Sequence, residues 1–143
     1  MILSPQQLSV VQAAQVWRAK SGRRPLLALY FSAQWCGPCK RFTPVLADLY
    51  NSSTKMDIIF ISCDTTELQF KRYAATMPWP SAPLSESFTD AAMDAFNVKG
   101  IPSLVLLDVT SDPPRLLCDD VRDELARGGK TVLDAYAAAA RRK

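Results

Sequence analysis

The feature that most constrains this chain is a pair of cysteines, Cys36 and Cys39, two residues apart. They lie between a nearly unbroken apolar run, Leu26 to Ser32, and a segment that opens on Pro38. An apolar run of that length bounded by turn residues is a buried central strand. Proline near the first position of a helix is pre-set for helical backbone and loses no hydrogen bond there. The cysteines are therefore expected at a strand-to-helix turn, with Cys36 at the helix N-terminus. Unpaired backbone N–H groups and the helix dipole favour negative charge at that place. The thiolate, not the thiol, attacks a disulfide, and such a site draws a cysteine pKa down toward ~7. Cys36 is the expected attacking residue. Cys39 returns beside it after two residues and is the expected resolving one. Gly37 is read as allowing a tight turn and Pro38 as presetting the helix.

Zinc is the competing use of such a pair. A structural zinc site usually takes four ligands, whereas Cys63 and Cys118 stand alone and the chain has no His. The absence of His also removes His-dependent catalysis. No run of residues is long enough for a membrane span, and no secretory signal order opens the chain. The expectation is a cytoplasmic, reducing setting, where cysteines are more often catalytic or metal-binding than structural staples. The formal charge of +3 is too small to argue for nucleic acid. The charge is uneven, because Arg18, Lys20, Arg23, Arg24, Lys40 and Arg41 all precede the first acid, Asp48. An acid-free basic start can belong to an organelle transit peptide; the plainer reading is a basic face on a helix and loop.

With 143 residues, the chain is expected to be one domain, 1–143. Ser4-Pro5-Gln6-Gln7 reads as a capped helix start, the helix running to about Ala19 and stopping near Ser21-Gly22. A second helix runs from Pro38 to Tyr50 with Pro44 inside it, where a kink is expected. Asp57 to Cys63 is a second buried strand, Glu67 to Ala75 a helix, and Thr89 to Phe96 a short helix ended by Asn97. Ser103 to Val109 is a third strand. Asp112-Pro113-Pro114 turns into a fourth, Arg115 to Cys118, and Lys130 to Arg142 is an Ala-rich helix. Asp119 to Gly129 carries the weakest signal. The sum is an α/β chain with a mixed central sheet and helices on both faces, parallel strands being joined through right-handed helical crossovers.

Tyr30-Phe31-Ser32-Ala33-Gln34-Trp35-Cys36-Gly37-Pro38-Cys39-Lys40 resembles the active-site segment of the thioredoxin superfamily. Arg41-Phe42-Thr43-Pro44, Met77-Pro78-Trp79, and Phe96-Asn97-Val98 followed by Gly100-Ile101-Pro102-Ser103-Leu104 are similar to tryparedoxins and nucleoredoxins. The resemblance implies a thioredoxin-like fold and a thiol–disulfide oxidoreductase that reduces protein disulfides, with Cys36 and Cys39 as its dithiol. It also implies a cis peptide bond at Ile101-Pro102 beside the dithiol, whose backbone pairs with extended substrate, and Trp35 as a flat contact surface.

Thioredoxins proper carry a buried acid six residues before the first cysteine; here that position is Tyr30, as in tryparedoxins. A tyrosine with pKa ~10 is a poor proton acceptor near neutrality, so the proton of Cys39 is expected to go to water or to Asp64. Asp64 resembles one of an acidic pair in tryparedoxins implicated in binding a polyamine-linked glutathione dithiol. The second acid is replaced by Thr65, a tryparedoxin Trp by Cys63, and the Pro-Pro between the cysteines by Gly37-Pro38. Trypanothione is therefore one candidate electron donor, and a thioredoxin reductase or another dithiol is the other. No bound cofactor or metal is expected. The expected partners are disulfide-containing proteins, peroxidases among them, approached by a monomer. Cys63 and Cys118 read as small buried hydrophobes or as regulatory thiols, and Arg122 as an exposed arginine. A rival reading is a protein-binding module of the same fold with dispensable redox activity, since fold alone does not fix function.

Overall fold

A computed structural model of the chain describes residues 1–18 and 23–141. Its elements are α1 (Pro5–Trp17), β1 (Leu26–Ser32), α2 (Gly37–Ser52), β2 (Met56–Ser62), α3 (Glu67–Ala74), α4 (Glu86–Ala95), β3 (Ser103–Asp108), β4 (Arg115–Cys118) and α5 (Arg122–Arg141). The four strands form one mixed sheet in the order β2-β1-β3-β4. β1 and β2 are parallel, with Tyr30 opposite Phe60. β3 is antiparallel to β1, and β4 to β3.

Successive strand side chains point to opposite faces, and here both faces are covered. Leu26, Ala28, Tyr30, Ile58, Phe60, Leu104 and Leu106 pack with Phe42, Leu46 and Leu49 of α2, Tyr73 of α3, and Leu125 and Leu133 of α5. Leu27, Leu29, Phe31, Ile59, Ile61, Val105 and Leu107 pack on the other face, with Val10, Val11 and Ala14 of α1 and Ala92 of α4. Double coverage explains why β1 reads as continuous apolar sequence rather than alternation. This is the thioredoxin-like fold the sequence led to, with five helices around a mixed sheet.

The element ends differ from the sequence reading in places with local causes. Ser4 Oγ accepts from the Gln7 amide at 3.1 Å and Gln7 Oε1 from the Ser4 amide at 2.9 Å, closing a capping box. α1 then ends at Trp17, because Arg18 turns to extended backbone (φ −64°, ψ 149°). The stop expected at Ser21-Gly22 lies outside the described residues. α4 begins at Glu86 rather than Thr89, because Ser85 Oγ accepts from the Phe88 amide. It ends at Ala95 with Phe96 as its cap, and Asn97 just beyond has φ 54°. The Asn97 amide donates to the Asp94 carbonyl and the Val98 amide to the Met93 carbonyl, the paired bonds of a Schellman stop.

The stretch Asp119–Gly129 proves largely helical, so the last helix starts eight residues before the expected Lys130. Gly129 interrupts the helix at φ 54°, ψ −135°. Only glycine adopts that backbone without strain. The chain nevertheless resumes as helix on its far side.

The basic face expected of the early arginines is not formed by Arg18 and Arg24. Arg18 is buried and its Nε donates to Asp57 Oδ2 at 2.7 Å. Arg24 donates to the carbonyls of Tyr50 and Met56. Among the described residues no helix is long and apolar enough to cross a membrane.

Candidate functional site

The strand β1 delivers the chain to the site, and α2 begins there. Cys36 is the N-cap of α2, and its Sγ accepts from the Cys39 amide at 3.3 Å. The Cys36 amide in turn donates to the Ala33 carbonyl, which closes the turn. Cys36 and Cys39 are disulfide-bonded. Cys36 keeps 7% of its surface exposed and Cys39 none. An N–H aimed at Sγ stabilises an anion on Cys36 in the reduced form, as does the helix N-terminus.

Gly37 and Pro38 form the first helical residues, with Pro38 in the first turn as expected. Gly37 is not demanded by the turn: it lies within α2, and a Cβ added there would meet only the Arg41 guanidinium at 3.5 Å.

Ile101-Pro102 is a cis peptide bond. The Ile101 carbonyl oxygen lies 3.9 Å from Cys36 Sγ, and Ile101 packs against the dithiol together with Cys63. Trp35 is 60% exposed and flanks a groove of about 550 Å³ lined also by Cys63, Asp64, Met93 and Ile101. Trp35, Cys36 and Ile101 thus meet at one surface, the loop before α2 facing the loop before β3.

Asp64 lines the same groove but is itself buried and engaged. Its Oδ1 accepts from the Gln34 amide at 2.8 Å and its Oδ2 from Ser62 Oγ at 2.8 Å. It therefore pins the loop that carries Trp35. Thr65 is exposed at the rim.

Beneath Cys39 lies a network of hydroxyls that sequence reasoning did not assemble. Thr43 Oγ1 donates to the Cys39 carbonyl at 2.9 Å. Tyr30 and Tyr73 hydroxyls each lie 2.8 Å from Thr43 Oγ1, and Ser32 Oγ lies 2.7 Å from the Tyr73 hydroxyl. Burial pushes the Tyr30 phenol well above its ordinary value, so it stays protonated and acts as a donor. Residues 30, 32, 43 and 73 converge only through the tertiary fold. The one signal in the sequence was Tyr30 itself.

Neither remaining cysteine is fully buried, unlike the simple hydrophobe expected of each; Cys63 and Cys118 are half-buried free thiols. Cys63 Sγ sits 3.9 Å from Met93 Sδ. Burial first, then the charges of Asp64 and Asp90, push its thiol up to about 11. Burial likewise raises the Cys118 thiol. At pH 7 a thiol at about 11 is ionised in only about one molecule in ten thousand. Limiting iodoacetamide on the reduced protein near neutrality is thus expected to label Cys36 and spare Cys63. Labelling of Cys63 should rise as pH climbs toward 11. Mapping the adduct by mass spectrometry checks this, and comparable early labelling of both would refute it.

Arg122 is half-buried rather than exposed. It lines a second depression, of about 370 Å³, between Pro102 and Asp119-Asp120. Among the described residues no cluster of acids and cysteines could hold a metal ion.

Residues 25–112 match a family model described as thioredoxin-like. A probable nucleoredoxin 1 of Arabidopsis thaliana is 46% identical over 86 residues, which are 57% of this chain and 15% of that protein. The tryparedoxin of Trypanosoma brucei brucei is 38% identical over 84 residues, 56% of this chain and 58% of that one. The chain thus spans a small part of the nucleoredoxin's length. A solved tryparedoxin II complexed with glutathionylspermidine superposes with a TM-score of 0.70 at 30% identity, covering 78% of each chain.

Proposed function

We propose that this chain, which belongs to the thioredoxin-like family of oxidoreductases on its nucleoredoxin and tryparedoxin side, reduces disulfides in other proteins. The observation that carries the reading is the asymmetry of the dithiol: Cys36 keeps a small exposed edge, at a helix N-terminus and under an amide, while Cys39 is sealed.

In the reduced form the Cys36 thiolate attacks one sulfur of a substrate disulfide. A Cys36–substrate disulfide forms, and the first substrate thiolate leaves. Cys39 loses its proton to water and attacks Cys36 Sγ. The Cys36–Cys39 disulfide forms and the second substrate thiolate leaves. Two electrons pass to the substrate, whose two thiolates take up protons from solvent. The exposed Trp35 supplies a flat apolar contact beside the attacked sulfur, and the backbone at Ile101-Pro102 an edge for extended substrate.

The protein is regenerated by a small dithiol or by a reductase. Trypanothione is the reading we favour, because a solved relative holds glutathionylspermidine and Asp64 lines the groove here. Stopped-flow reduction of the oxidised protein by trypanothione and, separately, by a thioredoxin reductase decides the donor. Reduction by trypanothione is expected, and a Thr65→Glu variant should react up to about fivefold faster, since one added charge gives ~1 kcal/mol at contact in water. That gain should shrink with salt. Reduction by the reductase alone would remove the polyamine dithiol from the scheme. Failure of the reduced protein to transfer electrons to any protein disulfide would leave the binding-module reading instead.

A further inference from the structure

Beyond Asp64, two acids that the family motifs do not include reach the groove beside the dithiol. Glu86 and Asp90 both line it. They stand four residues apart on α4 and so share a helix face. Both are exposed. Neither makes a hydrogen bond or ion pair to a described residue. Asp90 is close enough to Cys63 to raise its thiol. Among the described residues that line the groove there is no lysine or arginine. The cations near the site lie outside that groove: the Arg41 guanidinium lies beside Gly37, Lys40 borders the depression beside Thr43 and Tyr73, and Lys99 and Arg122 the one beyond Pro102.

The surface around Cys36 is therefore polarised. One side offers an apolar shelf, made by Trp35, Met93 and Ile101, edged by unpaired negative charge. A substrate strand lying against Ile101, with its sulfur at Cys36, has its flanking side chains over that shelf. A long basic side chain suits such a place, since its methylenes cover the apolar surface while its charged end reaches the acids. A carboxylate there would face Glu86 and Asp90 unscreened.

We propose that Glu86 and Asp90 select protein disulfides whose attacked cysteine is flanked by lysine or arginine. The proposal rests on the oxidoreductase reading above and names its substrate class. Exposed pairs contribute modestly, so the two acids together are expected to favour a basic over an acidic flank by about three- to tenfold in kcat/KM. The effect should fall with ionic strength.

The test uses the full chain in its reduced form and two peptides with the same intramolecular disulfide, flanked by Lys-Lys or by Glu-Glu. The readout is the ratio of their kcat/KM values, which does not depend on the absolute activity of a given variant. The wild type should prefer the Lys peptide, and the Glu86→Gln/Asp90→Asn double variant should bring the ratio close to that of the peptides with dithiothreitol. Circular dichroism and thermal unfolding establish that the variant is folded. Equal rates for the two peptides would overturn the proposal, as would a preference that survives in the folded double variant. If the variant instead loses only its rate of reduction by trypanothione, the acids serve the reductant and the proposal is likewise overturned. Failure to reduce either peptide or a small neutral disulfide would instead remove the oxidoreductase reading on which it rests.

Discussion

Replacing Cys36 with serine is expected to lower protein-disulfide reduction by at least about a thousandfold, to the uncatalysed rate, because a hydroxyl does not supply the nucleophile. Replacing Cys39 with serine should have a different outcome. Cys36 still attacks, but nothing releases it, and a covalent Cys36–substrate adduct accumulates. Burial gives the reason for the difference. Cys39 has no exposed surface, so a substrate disulfide cannot reach it, whereas Cys36 Sγ already sits beside it. The adduct is read as a shifted band on a non-reducing gel that dithiothreitol abolishes. Cys63 is a poor substitute for either residue, because burial pushes its thiol up to about 11 and leaves little thiolate near neutrality. Retained activity in Cys36→Ser, or an adduct mapping to Cys63, would overturn the assignment.

The dithiol was legible because its determinants are local. An apolar strand, a Cys at an N-cap and Pro in the first turn occupy a short continuous stretch, and each has its own propensity. The same holds for the Ser4–Gln7 capping box and the Asn97 stop, whose geometry is written within a few residues. The first half of α5 was not legible, because Asp119 to Gly129 carries little local helix signal and closes on two glycines. Its helical state depends on Val121, Leu125 and Leu133 reaching the same core as β1 and β3. Packing there overrides a weak local preference.

The groove was half legible. Trp35, Asp64 and Ile101 belong to recognisable segments. Glu86 and Asp90 do not: on a helix they read as ordinary solvated charges, and only the placement of α4 against the end of β2 turns them toward the site. The hydroxyl network is similar, since Tyr73 lies 43 residues from Tyr30 in sequence and meets it only through Thr43.

The same limitation hid the buried ion pair at the opposite end of the sheet, where the largest stability effect is expected. Asp57, the second residue of β2, is 4% exposed. Its Oδ2 accepts from Arg18 Nε at 2.7 Å and from the Arg24 amide at 3.0 Å. Arg18, 6% exposed, also donates to Gln15 Oε1 and to the Arg24 carbonyl. Arg24 lies over the Tyr50 ring at 4.2 Å. The three residues tie the end of α1 and the approach to β1 onto the start of β2. The pair as a whole has a modest net worth, because desolvation offsets most of its attraction. Removing one partner is a different matter, since Arg18 then stays buried with its main counter-charge gone. Asp57→Ala is accordingly expected to lower unfolding stability by about 3–5 kcal/mol, a large share of the 5–15 kcal/mol typical of a domain. Replacing Arg18 by Met in the same chain should restore part of that loss, because the orphaned charge goes with it. Asp57 sits opposite Leu27, about 16 Å of strand from Ser32 at the rise of a β-strand. Folded Asp57→Ala should therefore reduce disulfides at close to the normal rate. Equilibrium urea unfolding of the oxidised proteins measures the stability change. A loss below about 1 kcal/mol, the range of an exposed pair, would show that Arg18 finds water or another partner and that the pair is not the pin described here.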